Sequence, residues 1–248
     1  MNSDDWKNWL IVIPARLGST RLANKPLVDL CGKPLIVRVY ERIKTMESAG
    51  GKVIVATDHV MVEKACKDHR VPVAMTSPLH PSGSDRVKEV AEHFDRPFVL
   101  NVQGDEPFVS VADLDALRSG LELSKQPEMA TLCHESEDPE DYSNPNVVKV
   151  VATQGREALY FSRAAIPHYR NASGSRKFLK HLGVYAFERS TLFKFCALPP
   201  GLLETKESLE QLRALENGIK ILLVQASRPG IGIDTPEDLE RARANFRS

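Results

Sequence analysis

Two hydrophobic periods alternate along this chain, and the alternation leaves few folds open to it. Short apolar runs at 10–14, 53–57, 71–75, 98–102 and 129–133 are separated by helically spaced stretches at 35–48, 60–68, 84–94 and 111–124. The runs have the length of buried strands, and the stretches between them are long enough to cross back over a sheet. That is the pattern of βαβ units, so a largely parallel sheet with helices on both faces follows. After Cys133 the regularity weakens. Residues 147–153 and 158–161 read as strands around Gln154-Gly155, a hairpin rather than a crossover. Residues 171–175 are polar with Gly and Ser, which predicts a mobile loop.

Further on, an apolar run at 182–187 precedes a helix near 189–196, and Leu198-Pro-Pro-Gly201 breaks the chain. Helical periodicity resumes at 206–217, ended by Gly218. A strand is expected at 219–225, and Thr235-Pro-Glu opens a last helix with an N-cap and Pro at its first position. Without internal repeats or a linker, the reading is one α/β domain over 1–248, with an inserted subregion at about 134–200.

Charge narrows the partners. Lys plus Arg and Asp plus Glu number 33 each, so no global field favours nucleic acid or an acidic membrane surface. No run approaches the roughly 20 apolar residues of a membrane span, and residues 1–9 lack the apolar core of a secretory signal. A cytoplasmic location is the expectation. Cys31, Cys66, Cys133 and Cys196 form no C-x-x-C pair, which predicts buried thiols rather than a zinc or redox site. Trp6 and Trp9 are expected to pack on the body of the protein.

The chemistry gathers where apolar runs end. Directly after the first run, Pro14-Ala-Arg-Leu-Gly-Ser-Thr-Arg-Leu-Ala-Asn-Lys25 places Arg16, Arg21 and Lys25 in one loop with Ser19. A single glycine excludes a dinucleotide fingerprint or a Walker loop. Backbone amides, a hydroxyl and several cations can instead wrap a polyphosphate, although a solvated basic loop would look the same. Asp58 ends the second run, and Ser82 and Gly83 precede a helix. Each of Asp58 and Ser82 is a ligand candidate or a helix cap, while Gly83 permits close backbone approach to a flat base. Asp105, in Gln-Gly-Asp-Glu-Pro, and Asp234, in Gly-Ile-Asp-Thr-Pro-Glu, are turn or helix punctuation unless they face one crevice. In that case they form a two-carboxylate Mg²⁺ site.

In this order the motifs closely resemble the 3-deoxy-manno-octulosonate cytidylyltransferases, the CMP-Kdo synthetases. The matching stretches are IPARLGSTRLANKPL, ATDH, MTSPLHPSGSDR, LNVQGDEP, NPNVVKVV, ALYFSRAAIP, KHLGVYAF, ESLEQLRALENG and GIDTPEDLERAR, running from Ile13 to Arg243. The resemblance implies a Rossmann-like nucleotidyltransferase fold of the glycosyltransferase-A type. It also implies transfer of CMP from CTP to the anomeric hydroxyl of Kdo with release of pyrophosphate. Ala15, Arg16, Ser19, Arg21 and Lys25 would then hold the triphosphate, and Asp58, Ser82, Gly83, Arg86 and Gln103 the cytidine or the neighbouring sugar. Asp105 and Asp234 would hold Mg²⁺, the implied cofactor, while Gln103, Arg163, His181, Tyr185, Glu210 and Gln211 would grip Kdo. One carboxylate and many hydroxyls suit that last set.

The resemblance further implies a homodimer, through the region after Cys133 where 182–187 would meet its mate, and a product destined for lipopolysaccharide. Two departures stand out. Leu-Ala-Asn-Lys replaces Leu-Pro-Gly-Lys at 22–25, and His168 replaces a Trp common after the Ile-Pro pair. Gly-Asp-Glu-Pro, rather than Gly-Asp-Gln-Pro, favours Kdo over 8-amino-Kdo. A sialic acid as substrate, or a nucleotide-binding regulator without catalysis, are the other readings.

Overall fold

The computed structural model describes residues 5–18, 21–124, 126, 128–170 and 176–247. Its contacts gather into two units, Met1–Val111 with Gly230–Ser248, and Ala112–Pro229. The second unit contains the whole of 134–200.

The first unit begins with β1 (Trp9–Ala15), a 3-10 turn at Lys25–Leu27, α1 (Leu35–Ile43), α2 (Thr45–Ser48) and β2 (Lys52–Thr57). It continues with α3 (Val60–Asp68), β3 (Val73–Met75), α4 (Gly83–Glu92) and β4 (Phe98–Asn101). The strands lie in the order β3-β2-β1-β4 and all run parallel. The chain therefore steps outward from β1 to β3, then returns to the other side of β1. That reversal opens a crevice beyond the carboxyl ends of β1 and β4, where open α/β sheets bind ligands. At the opposite end, Trp6 and Trp9 are wholly buried, as expected. Their ring centroids are 5.6 Å apart edge-on, and Trp9 stacks on Phe98 at 4.9 Å.

The second unit carries α5 (Val111–Leu123), β5 (Met129–Ser136), α6 (Pro139–Ser143), β6 (Lys149–Ala152), β7 (Ala158–Ser162) and β8 (Phe178–Glu188). After these come α7 (Arg189–Ala197), α8 (Leu202–Glu207), α9 (Gln211–Glu216) and β9 (Ile221–Gln225), and α10 (Pro236–Arg247) closes the chain. β6 and β7 form the expected antiparallel hairpin, and β6 also pairs with β8. β5 lies between β9, parallel, and β8, antiparallel. Opposite Thr131 and Leu132, the β8 partners step from Tyr185 to Leu182, where a regular ladder would move by one. The bulge at Gly183-Val184 re-aims the side chains on either side of it.

Three expectations change here. The single helix at 206–217 is two, broken at Ser208, which adopts a left-handed backbone with φ 51°. The carbonyls of Glu207 and Ser208 turn toward the Arg163 guanidinium rather than continuing a helical ladder. The run at 182–187 does not offer a free apolar face to a mate. Leu182, Val184, Ala186 and Phe187 are buried in the chain's own core, and β5 pairs along the strand. Of the cysteines, Cys66 and Cys133 are buried, whereas Cys31 and Cys196 are only half-buried; none of the four is in a disulfide. The loop expected at 171–175 lies outside the described residues. Among the described residues no helix is long and apolar enough to cross a membrane.

Candidate active site

At the switch point of the first unit lies a polar cleft of about 360 Å³. Its walls come from the end of β1 (Pro14, Ala15), the loop after it (Arg16, Gly18, Arg21), the 3-10 turn (Lys25, Pro26), the loop after β4 (Gln103, Gly104, Asp105), and Asp234 just before α10. The close approach of the first two loops depends on Gly104. A Cβ at that position would stand 2.8 Å from the Pro14 carbonyl oxygen, so no other residue fits without backbone movement. A backbone hydrogen bond, Ile233 N–H to the Asp105 carbonyl at 3.0 Å, sets Asp234 beside Asp105.

Local chemistry frees Asp234 for the cleft. Thr235, not Asp234, caps α10, accepting from the Asp238 amide at 3.2 Å, while the Asp238 carboxylate accepts from the amides of Asp234 and Thr235. This reciprocal capping leaves the Asp234 side chain free to turn inward. There Lys25 donates to Asp234 Oδ1 at 2.7 Å and also to Asp105 Oδ2, while Arg21 reaches Asp234 at 3.2 Å. Burial alone would lower the Lys25 pKa, but the two carboxylates outweigh it and hold the group above its ordinary value. Two carboxylates converging on one cation fit Mg²⁺. Among the described residues no cluster of three or more His, Cys, Asp or Glu side chains exists, so substrate phosphates and water would complete the shell.

The other residues expected around the nucleotide divide differently. Ser19 lies outside the described residues. Gln103 lines the cleft and donates to Asn101 Oδ1 at 3.2 Å. The described walls do not include Asp58, Ser82, Gly83 or Arg86. Ser82 is the N-cap of α4, accepting from the Asp85 amide at 3.2 Å, and a Cβ added at Gly83 would meet the Pro14 side chain at an ordinary 3.7 Å. His59, not Asp58, caps α3. Asp58 instead accepts from the buried Arg86 at 2.9 Å, and Arg86 also donates to Thr76. That pair ties the carboxyl ends of β2 and β3 to α4. A second groove of about 410 Å³, walled by residues in and beside β3 and α4 such as Pro72, Val73, Val90 and Phe94, offers no comparable cluster of cations.

Gln103 apart, the sugar candidates lie in the second unit. The β8 bulge brings the rings of His181 and Tyr185 to 5.4 Å, with Phe161 edge-on to His181 at 5.0 Å. Thr131 Oγ1 donates to the Val184 carbonyl at 2.8 Å and contacts His181 Nε2 at 3.0 Å. Because the hydroxyl proton is already used, Nε2 carries the imidazole proton and Nδ1 is left as an acceptor. Burial pushes the His181 pKa down to about 3, so the ring is neutral near pH 7. Tyr185 is raised well above its ordinary value by burial and by the nearby Glu210 carboxylate. Gln211 is 5% exposed, and its Nε2 finds no hydrogen-bond partner among the described residues. A buried orphan donor of that kind calls for a polar ligand.

Arg163 is held more tightly than its expected role suggests. Its guanidinium donates to the carbonyls of Pro145 at 3.0 Å, Glu207 at 2.8 Å and Ser208 at 3.3 Å. Three donors anchor the backbone, leaving two of five for a ligand.

With this geometry in view, comparison with known proteins decides the family. The family described as "Cytidylyltransferase" matches residues 10–221. A 3-deoxy-manno-octulosonate cytidylyltransferase of Polynucleobacter necessarius subsp. necessarius is 46% identical over 98% of both chains. This chain belongs to the 3-deoxy-manno-octulosonate cytidylyltransferase family. A relative of the same name from Herminiimonas arsenicoxydans is 45% identical over 96% of this chain and 99% of its own. The solved structure of a CMP:2-keto-3-deoxy-manno-octonic acid synthetase complexed with CTP superposes with a TM-score of 0.89 at 42% identity. The match covers 96% of this chain and 98% of that one.

One departure from the family's motifs now has a physical account. Asn24, standing where the motif carries Gly, has φ 52° and ψ 34° at the start of the Lys25 turn. Asn is the residue that best tolerates this left-handed conformation after Gly, so the turn aiming Lys25 survives the exchange. Residues that sequence reasoning passed over include Gly104, Asp238, Thr131 and Lys149. Only Lys149, a lone cation inside the apolar run 147–151, left a visible trace in the pattern.

Proposed function

We propose that this chain transfers the CMP group of CTP to the anomeric hydroxyl of Kdo. The sugar oxygen forms a bond to the α-phosphorus, the bond from that phosphorus to the α,β-bridging oxygen breaks, and pyrophosphate leaves. The carrying observation is the convergence of Arg16, Arg21 and Lys25 with Asp105 and Asp234 in one cleft of a chain 46% identical to a named Kdo cytidylyltransferase.

The residues divide the work by charge. Arg16, Arg21 and Lys25 bind the triphosphate and offset charge on the departing pyrophosphate, preorganised by the two loops that Gly104 lets meet. Asp105 and Asp234 would hold Mg²⁺, which, when bound, neutralises phosphate charge and favours ionisation of the attacking hydroxyl. Gln103 supplies an amide to the cleft. In the second unit, neutral His181, Tyr185, Glu210 and Gln211 hydrogen-bond sugar hydroxyls, and Arg163 supplies positive charge for the carboxylate. The reading extends to a homodimer in the cytoplasm whose product serves lipopolysaccharide synthesis.

The test is pyrophosphate release from CTP and Mg²⁺ with Kdo, 8-amino-Kdo or N-acetylneuraminate, each with and without EDTA. Kdo-dependent release that EDTA stops supports the proposal. Release with another sugar only would overturn the substrate, and no release from folded protein would favour a binding regulator.

A further inference from the structure

Lys149 sits in the centre of an apolar strand run and is fully buried, with 0% of its surface exposed. A buried ammonium is expensive unless its protons are satisfied. All three go to backbone carbonyls: Asn144 at 3.0 Å, Val147 at 2.8 Å and Arg163 at 2.6 Å. The carbonyls belong to two separate pieces of chain, the 144–147 turn and the end of β7.

Each piece leads to the sugar candidates. On one side, the His181 amide donates to the Val148 carbonyl at 2.8 Å, and Lys149 stands opposite Lys180 in the β6–β8 ladder. On the other side, Arg163, whose carbonyl Lys149 holds, grips the carbonyls of Glu207 and Ser208. Those two residues immediately precede Leu209, Glu210 and Gln211. The Glu207 carboxylate closes the corner by accepting from Ser162 Oγ at 2.6 Å and the Arg163 amide at 2.9 Å. The charges acting on Lys149 are those of Arg163, Glu207 and Asp141. Burial lowers the Lys149 pKa, in the direction expected of a cation held mainly by neutral acceptors.

We propose that Lys149 is a positioning residue for the sugar acid, clamping the 144–147 turn to Arg163 so that His181 and the Glu210–Gln211 pair hold a fixed spacing. This role rests on the functional reading above. It also explains why a lysine occupies a strand position whose neighbours are all valines, where an apolar residue would pack without a desolvation cost.

The experiment measures KM for CTP and for Kdo separately, with kcat, in wild type, Lys149→Met and Lys149→Gln. Removing the three donors in Lys149→Met is expected to raise the Kdo KM by about 10-fold or more while the CTP KM stays within about twofold, since displacement of positioned groups acts on the ligand they hold. Lys149→Gln, which keeps two donors without charge, is expected to fall between. An unchanged Kdo KM, or both KM values rising together, would overturn the role. A measurement on wild type guards against variants that do not fold. Kdo, but not CTP alone, is expected to slow amide exchange in 144–152 and 207–216 together, and protection confined to 207–216 would contradict the clamp. Wild type that shows no Kdo-dependent turnover would remove the functional reading and this role with it. Turnover in wild type beside unaltered variants would remove only the role.

Discussion

Lowering the pH should destabilise this protein through His181 in a way that can be isolated and measured. The ring lies against Phe161 and Tyr185 and contacts Thr131 through Nε2, and burial holds its pKa at about 3 against about 6.5 in an unfolded chain. Since the folded value is the depressed one, the unfolded state binds the extra proton between those limits. Stability from this group is therefore complete above pH about 6.5 and is lost as pH falls toward 3, with a slope approaching about 1.4 kcal/mol per unit. Between pH 6.5 and 5.0 the loss from this residue alone is about 1.6 kcal/mol. His181→Gln keeps an N–H near the Thr131 hydroxyl and cannot titrate. Urea unfolding of both proteins at pH 7, 6 and 5 should show wild type losing about 1–2 kcal/mol more than the variant by pH 5. Identical pH dependence in the two proteins would refute a neutral His181 with a depressed pKa.

Other perturbations probe the cleft and its support. Asp105→Asn should cut kcat by about 10²-fold or more with an unchanged circular dichroism spectrum, because it removes charge from the Lys25–Asp234 cluster without changing its shape. Gly104→Ala, forcing a Cβ to 2.8 Å from the Pro14 carbonyl, should cost about 1–3 kcal/mol in thermal unfolding and raise the CTP KM. Arg86→Ala leaves Asp58 and Thr76 without their buried donor, and should cost about 3 kcal/mol by denaturant titration.

The parallel strands were legible because their signal is local. The runs at 10–14, 53–57 and 98–102 became β1, β2 and β4 within a residue or so, since a strand covered by helices must be apolar throughout. The convergence of the loop after β1 with Asp105 was legible for a related reason, because residues following a buried strand emerge at the crevice. Asp234 could be named but not separated from helix punctuation, because only the structure shows Thr235 and Asp238 capping α10 between them.

Features made by contacts distant in sequence were not legible. The break at Ser208 carries no Gly or Pro, and its carbonyl is drawn away by Arg163, far back in the chain. The bulge that brings His181 to Tyr185 depends on the register against β5, which periodicity does not record. The buried ion pair that Arg86 makes with Asp58 likewise joins positions 28 residues apart.

The most direct measurement of the central claim is a ³¹P NMR time course of the protein with CTP, Kdo and Mg²⁺. The account predicts one phosphodiester resonance of a CMP-linked sugar growing in step with pyrophosphate, both absent without Kdo or with EDTA. Conversion of CTP to free nucleotide and phosphate without that phosphodiester, or no change from folded protein, would contradict it.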